Sequence, residues 1–244
     1  MFNIIIKDTY EEVSLEAFKA LKKVISDKEK PVLGLATGSS PIGLYKNMQE
    51  DYKKGYSYKN CITFNLDEYI GLDKEHDQTY WTFMHKNLFD NLDIPEENIH
   101  IPSAVGKDLQ ELCSDYDKAL NEYVIDIQVL GIGGNGHIGF NEPGTSFDTK
   151  TNIVELQERT RLDNARFFNS LDEVPTKAIT MGISSIMQAK NILVIATGLN
   201  KADAVYGMIK GEISVDCPAS VLQNHPSVTV VLDKDAASKL WANH

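Results

Sequence analysis

Short, mostly apolar runs rich in β-branched residues recur along almost the whole chain and alternate with helical patterns. Strands buried on both faces read as such continuous runs. Alternating with helices, they specify a parallel sheet covered on both sides. The runs are Val32–Ala36, Cys61–Leu66, Ile127–Ile132, Ala178–Met181, Ile192–Thr197 and Val228–Leu232, with the short extended segment NIHI at 98–101. Asp8 with Glu11 resembles a capping box for a helix reaching about Ser26, and Pro41 opens the next helix. Further helical patterns cover Thr79–Asp90, Leu109–Tyr123, Ser184–Ala189 and about Lys201–Lys210, with a last helix to Trp241. The fold class expected is α/β: a doubly wound, mostly parallel sheet with helices on both faces. Its site belongs at the carboxyl ends of the strands. With no repeats, linkers or low-complexity tracts, residues 1–244 read as a single domain.

Net charge excludes several functions. The chain carries 35 acidic against 24 basic residues, a net −11, so its overall field repels nucleic acid and anionic membrane. A small anionic ligand needs only a few local cations and helix N-termini. The cysteines, Cys61, Cys113 and Cys217, are three and far apart, which fits neither a disulfide framework nor a thiolate metal site. The N-terminus lacks the pattern of a signal peptide, and no apolar stretch approaches the ~18 residues of a membrane helix. A cytoplasmic protein with no membrane or nucleic-acid partner is expected.

Four segments at strand ends carry chemistry. In ATGSSP, Thr37, Gly38, Ser39 and Ser40 leave a strand just before a helix, with Ser40 as the natural N-cap. This outlines a phosphate cradle, although it also fits an ordinary capped turn. It is not a nucleotide P-loop, because no Gly-Lys-Ser/Thr follows. In TFNLDEY, Asp67 and Glu68 end a strand, and adjacent residues of an extended segment point oppositely. One can therefore face a site while the other caps or pairs elsewhere.

The richest segment, VLGIGGNGHIGFNEPG at 129–144, empties a strand into Gly131, Gly133, Gly134, Gly136 and Gly139, with Asn135, His137, Asn141 and Glu142 as its polar content. No helix follows directly, so it is not a dinucleotide fingerprint. Glycine backbone permits close approach to a ligand, and a histidine beside Asn and Glu can have its tautomer and basicity set by them. The fourth segment, IATGLNKADAV, places Lys201 in a first helical turn, where the dipole disfavours a cation unless an anion is near. All three arginines, Arg159, Arg161 and Arg166, lie in QERTRLDNARFF. Arg166 is the one read as functional, since guanidinium suits planar, bidentate recognition of phosphate or carboxylate. The stretch from about Gly133 to Thr160 reads as a long functional loop.

Together, ATGSSP, FNLDEY, GNGHIGFNEPG, ARFF and GLNKA, in this order, resemble the glucosamine-6-phosphate deaminase (isomerase) family across essentially the whole chain. The resemblance implies a modified Rossmann-like fold and conversion of D-glucosamine 6-phosphate and water to D-fructose 6-phosphate and ammonia, without metal or organic cofactor. By resemblance, His137 opens the pyranose ring, with Asn135 and Glu142 tuning it. Asp67 moves a proton from carbon 2 to carbon 1, and as an ordinary carboxylate it would be ionised at neutral pH. Thr37, Gly38, Ser39, Ser40, Arg166 and Lys201 would hold the phosphate, and a mobile lid would cover about 156–179.

Some members carry Asp where this chain has Asn135. Longer members have basic residues shortly after the FNEP segment that bind an allosteric activator, where this chain has Asn152 and Val154. The expectation is no activation by N-acetylglucosamine 6-phosphate, and a monomer or small homo-oligomer. The competing readings are a 6-phosphogluconolactonase, which would not need Glu142, and a non-catalytic sugar-phosphate sensor, which need not keep both Asp67 and His137. A Rossmann dehydrogenase lacks its fingerprint.

Overall fold

The computed structural model describes residues 1–105, 108–158, 161–162 and 168–241. Strands β1 (Phe2–Lys7), β2 (Val32–Leu35), β3 (Ile62–Asn65), β5 (Ile99–His100), β6 (Ile127–Leu130), β9 (Ile192–Ala196) and β10 (Val228–Asp233) form one sheet. Their order is β1-β10-β9-β6-β2-β3-β5, and every pairing is parallel. The chain builds outward from β2 through β3 to β5, then returns to place β6 on the other side of β2. That reversal is a topological switch point, where neighbouring connections leave on opposite faces and open a crevice.

Side chains of these strands alternate between two apolar cores. One side packs Leu33, Leu35, Val129, Leu193 and Ile195 against helices α1 (Tyr10–Ile25), α2 (Ile42–Lys53) and α3 (Tyr80–Asn87). The other packs Phe64, Leu130, Val194, Val230 and Leu232 against α4 (Leu109–Asn121), α5 (Ile183–Ile186) and α6 (Ala202–Lys210). The expected doubly wound parallel sheet is thus the fold.

A second, three-stranded sheet corrects the sequence reading. Strands β4 (Asp67–Tyr69), β7 (Asn152–Glu155) and β8 (Lys177–Thr180) pair antiparallel in the order β4-β8-β7. The run at 178–181 therefore belongs to a different sheet from the other apolar runs. Its partners lie far off in sequence, so local periodicity carried no sign of this. The loop expected over Gly133–Thr160 contains β7, and β1 is an edge strand outside the expected runs.

Helix termini also differ in detail. The capping box of α1 is formed by Thr9 and Glu12, not Asp8 and Glu11: Thr9 is the extended residue whose hydroxyl accepts the Glu12 amide. Ser40 does not cap α2, which starts one residue later with Pro41 in the N-cap position and no side-chain cap. The segment expected as a last helix to Trp241 is a series of turns. Among the described residues, no helix is long and apolar enough to cross a membrane.

Candidate active site

The switch-point crevice is a cleft of about 820 Å³. Thr37–Ser40, just beyond β2, line one wall, and Gly131–Gly134 and His137, just beyond β6, line another. Asp67, Tyr80 and Lys201 complete it. Seven of the ten site residues read from the sequence therefore border one cavity. Asn135 and Glu142 stand behind His137 rather than on the cleft wall. Arg166 lies outside the described residues, as do 159–160 and 163–167 of the expected lid. Of the other arginines, Arg161 is described, and it donates to the backbone carbonyls of Leu171 (3.3 Å) and Val174 (3.5 Å).

The histidine loop is built around a close backbone approach. A Cβ on Gly133 would sit 2.1 Å from the His137 imidazole, so only glycine leaves room for the ring there. The Gly133 amide donates to the His137 carbonyl at 2.9 Å. Buried Asn141 anchors the loop, its side-chain amide donating to the carbonyls of Ile138 (2.9 Å) and Met181 (3.0 Å).

The hydrogen-bond chain behind the ring assigns its protons. Asn135 Nδ2 donates to Glu142 Oε2 at 2.8 Å, so Asn135 Oδ1 faces His137. That oxygen lies 2.7 Å from His137 Nδ1 and can only accept, which puts the imidazole proton on Nδ1 and leaves Nε2 with its lone pair. Glu142 Oε1 is 3.5 Å from the same Nδ1. Burial holds the imidazole below its usual range, Glu142 opposes that, and Lys201 adds to it. The ring is therefore neutral and basic at Nε2 near neutral pH.

The two acids of β4 diverge as an extended strand requires. Glu68 turns to the N-terminus of α3 and accepts the amides of Tyr80 and Trp81, both at 2.9 Å, and its own neighbour Tyr69 at 2.8 Å. Asp67 turns to the cleft and is almost wholly buried. Burial, with the negative Glu68 beside it, pushes the Asp67 carboxyl up to about 8, against a hydrogen bond from Thr180 that favours its charge. The expectation of a carboxylate already ionised at neutral pH is corrected here, because residue type alone does not report desolvation.

The cradle loop is held from beneath by two tyrosines the sequence reading passed over. The Tyr10 hydroxyl donates to the Ser39 carbonyl at 2.7 Å and accepts the Gly43 amide at 2.9 Å. Fully buried Tyr45 accepts the Ala36 amide at 3.1 Å and donates to the Ala36 carbonyl. Ser39 is left exposed at the cleft, ahead of the α2 dipole. Ser40, freed from capping, turns its hydroxyl toward Gly131 across the crevice: a Cβ there would lie 3.7 Å from it. Lys201 precedes α6, and burial lowers its ammonium. Among the described residues, no group of three or more His, Cys, Asp or Glu is disposed to hold a metal ion.

Known proteins are similar to this chain in sequence and fold. The sequence model described as glucosamine-6-phosphate isomerases/6-phosphogluconolactonase matches residues 7–231. The chain is 52% identical over 237 residues to a glucosamine-6-phosphate deaminase of Thermoanaerobacter pseudethanolicus, covering 96% of this chain and 94% of that one. It is 49% identical over 243 residues to the deaminase of Oceanobacillus iheyensis, covering 99% and 97%. The solved structure of a monomeric glucosamine-6-phosphate deaminase superposes with a TM-score of 0.92 at 43% identity, over 97% of this chain and 99% of that one. A 6-phosphogluconolactonase of Trypanosoma brucei superposes at 0.80 but with 20% identity, over 98% and 99%, which is a likeness of fold alone. The chain, with its switch-point cleft and its histidine loop, belongs to the glucosamine-6-phosphate isomerase/6-phosphogluconolactonase family.

Proposed function

We propose that this chain is an enzyme that isomerises and deaminates D-glucosamine 6-phosphate, with water, to D-fructose 6-phosphate and ammonia. The observation that carries this reading is a single cleft lined by Asp67, His137, the Thr37–Ser40 loop and Lys201. The deaminases at about half identity over nearly the full chain support the substrate. The lactonase reading has only a 20% identical neighbour behind it.

In this reading the phosphate sits on the amides and hydroxyls of Thr37, Gly38, Ser39 and Ser40, at the positive end of α2, with Lys201 and Arg166 as counter-cations. His137 Nε2 takes the proton of the anomeric hydroxyl and returns one to the ring oxygen, opening the ring to the aldehyde. Asn135 and Glu142 hold the imidazole in the tautomer this requires. Asp67, once ionised, removes the proton on carbon 2, which the adjacent aldehyde acidifies. The same proton returned to carbon 1, with a proton of the amine passing to the carbon 1 oxygen, gives a ketimine at carbon 2. Water adds there and ammonia leaves, producing the ketose. The phosphate does no chemistry, but its binding energy orients the reacting carbons.

We read residues 1–244 as one such domain, with a lid at about 156–179, acting in the cytoplasm as a monomer or small homo-oligomer. The monomeric state named for the 43% identical structure supports the last point.

The test is release of ammonia and fructose 6-phosphate from glucosamine 6-phosphate, for the wild type and Asp67→Asn, with and without chelator. Equal yields that survive chelation and vanish in the variant are expected. Binding without turnover of either glucosamine or galactosamine 6-phosphate would give the lead to a sensor.

A further inference from the structure

Thr180 ends β8 directly across the antiparallel β4–β8 pair from Asp67, and it is fully buried. Its hydroxyl accepts the Phe140 amide at 3.2 Å, and as a hydrogen-bonding neighbour it favours the charged form of the Asp67 carboxyl. A Cβ built on Gly139 would lie 3.1 Å from Thr180 Oγ1 and 3.5 Å from Asp67 Oδ2, so both oxygens converge on the bare side of that glycine. Gly139 and Phe140 belong to the same loop as His137. One buried hydroxyl thus joins the strand of the carbon-acid base to the loop of the ring-opening histidine. Buried polar groups so connected are held in one geometry, and loss of one member leaves another unsatisfied.

We infer that Thr180 is a positioning residue for the proton transfer at carbon 2, orienting the Asp67 carboxylate and fixing its register against the His137 loop. The inference rests on the reading of Asp67 as base. Other titratable groups facing Asp67 are Glu68 on its own strand, Tyr80 from α3 and Tyr116 from α4. Burial keeps both tyrosines neutral. Among these neighbours Thr180 supplies the donor that favours the ionised carboxylate.

Thr180→Val preserves the shape and removes the hydroxyl, leaving the Phe140 amide without its acceptor. Its kcat should fall about tenfold to a hundredfold, the scale of a small misplacement of a reacting group, with KM little changed. The rising limb of kcat/KM against pH should move to higher pH, and the isotope effect from deuterium at carbon 2 should grow as proton transfer becomes slower. Thr180→Ser should restore the limb and the isotope effect. If Thr180→Val does not fold, Thr180→Ser against Thr180→Ala isolates the hydroxyl, since both lack the methyl. A limb and an isotope effect equal to wild type in the hydroxyl-free variant would overturn the inference, whatever happens to stability. Asp67→Asn is measured alongside. If it still releases ammonia, the base assignment fails. If it is inactive while the hydroxyl-free variant matches wild type, only the role of Thr180 fails.

Discussion

Asn135 stands between Glu142 and His137, donating through Nδ2 to Glu142 Oε2 at 2.8 Å while its Oδ1 lies 2.7 Å from His137 Nδ1. A carboxylate can only accept, so Glu142 sets which end of the amide meets the ring. Asn135 therefore transmits orientation from Glu142 to the imidazole without bringing a second negative charge to Nδ1.

Replacing that amide by a carboxylate, the residue some members of the family carry, is the direct test. Asn135→Asp places an anion against Nδ1 and stabilises the imidazolium, so His137 should titrate higher than in the wild type. Nitrogen NMR of the ring should show the Nδ1–H tautomer in the wild type near neutral pH. A wild-type Nε2–H tautomer, or an unmoved titration in the variant, would contradict the relay.

The proposed base, Asp67, links activity to stability. Its folded carboxyl keeps a proton up to about pH 8, whereas an unfolded aspartate releases it near its ordinary value of 3.8. Between those limits the native state binds the extra proton, so stability falls as pH rises. Asp67→Asn removes this penalty. The variant should be inactive yet more stable than wild type, by a margin that grows from pH 5 to pH 9. At about 1.36 kcal/mol per pKa unit the upper bound is about 6 kcal/mol. Denaturant melts at several pH values measure it, and a margin that shrinks with rising pH would count against the buried neutral carboxyl.

Tyr10 reaches from α1 to the loop proposed to cradle the phosphate, and its two hydrogen bonds hold that loop at Ser39 and Gly43. Tyr10→Phe should raise KM for glucosamine 6-phosphate about five- to tenfold, as for the loss of about 1 kcal/mol of hydrogen bonding, with kcat within about twofold. Inhibition by inorganic phosphate should weaken in parallel. A lower melting temperature with an unchanged KM would show that Tyr10 supports only the fold.

At the expected effector position, β7 offers Asn152, whose side chain donates to the Lys150 carbonyl at 2.8 Å, and the apolar Val154. Neither supplies a cation for a second phosphate. Rate curves should be hyperbolic and insensitive to N-acetylglucosamine 6-phosphate beyond simple competition. Sigmoidal curves abolished by that compound would refute this.

Much of the architecture is legible in the sequence because it is local. VLGL, IQVL and ILVIA are too apolar to face water on either side, and glycine or small polar residues follow each, so a parallel sheet with a site beyond its strand ends was determined by composition and spacing. The split roles of Asp67 and Glu68 were determined as well, since neighbouring side chains of a strand point apart.

What the sequence left undecided depends on contacts between distant segments. Only the tertiary structure moved the run at 178–181 into a second sheet and set Thr180 against Asp67. Only burial decided that Asp67 holds its proton to about pH 8. Only the facing of Asn135 and Glu142 decided which imidazole nitrogen is free. Periodicity reports which face of an element is apolar, whereas charge state and hydrogen-bond direction depend on what other segments bring to that face.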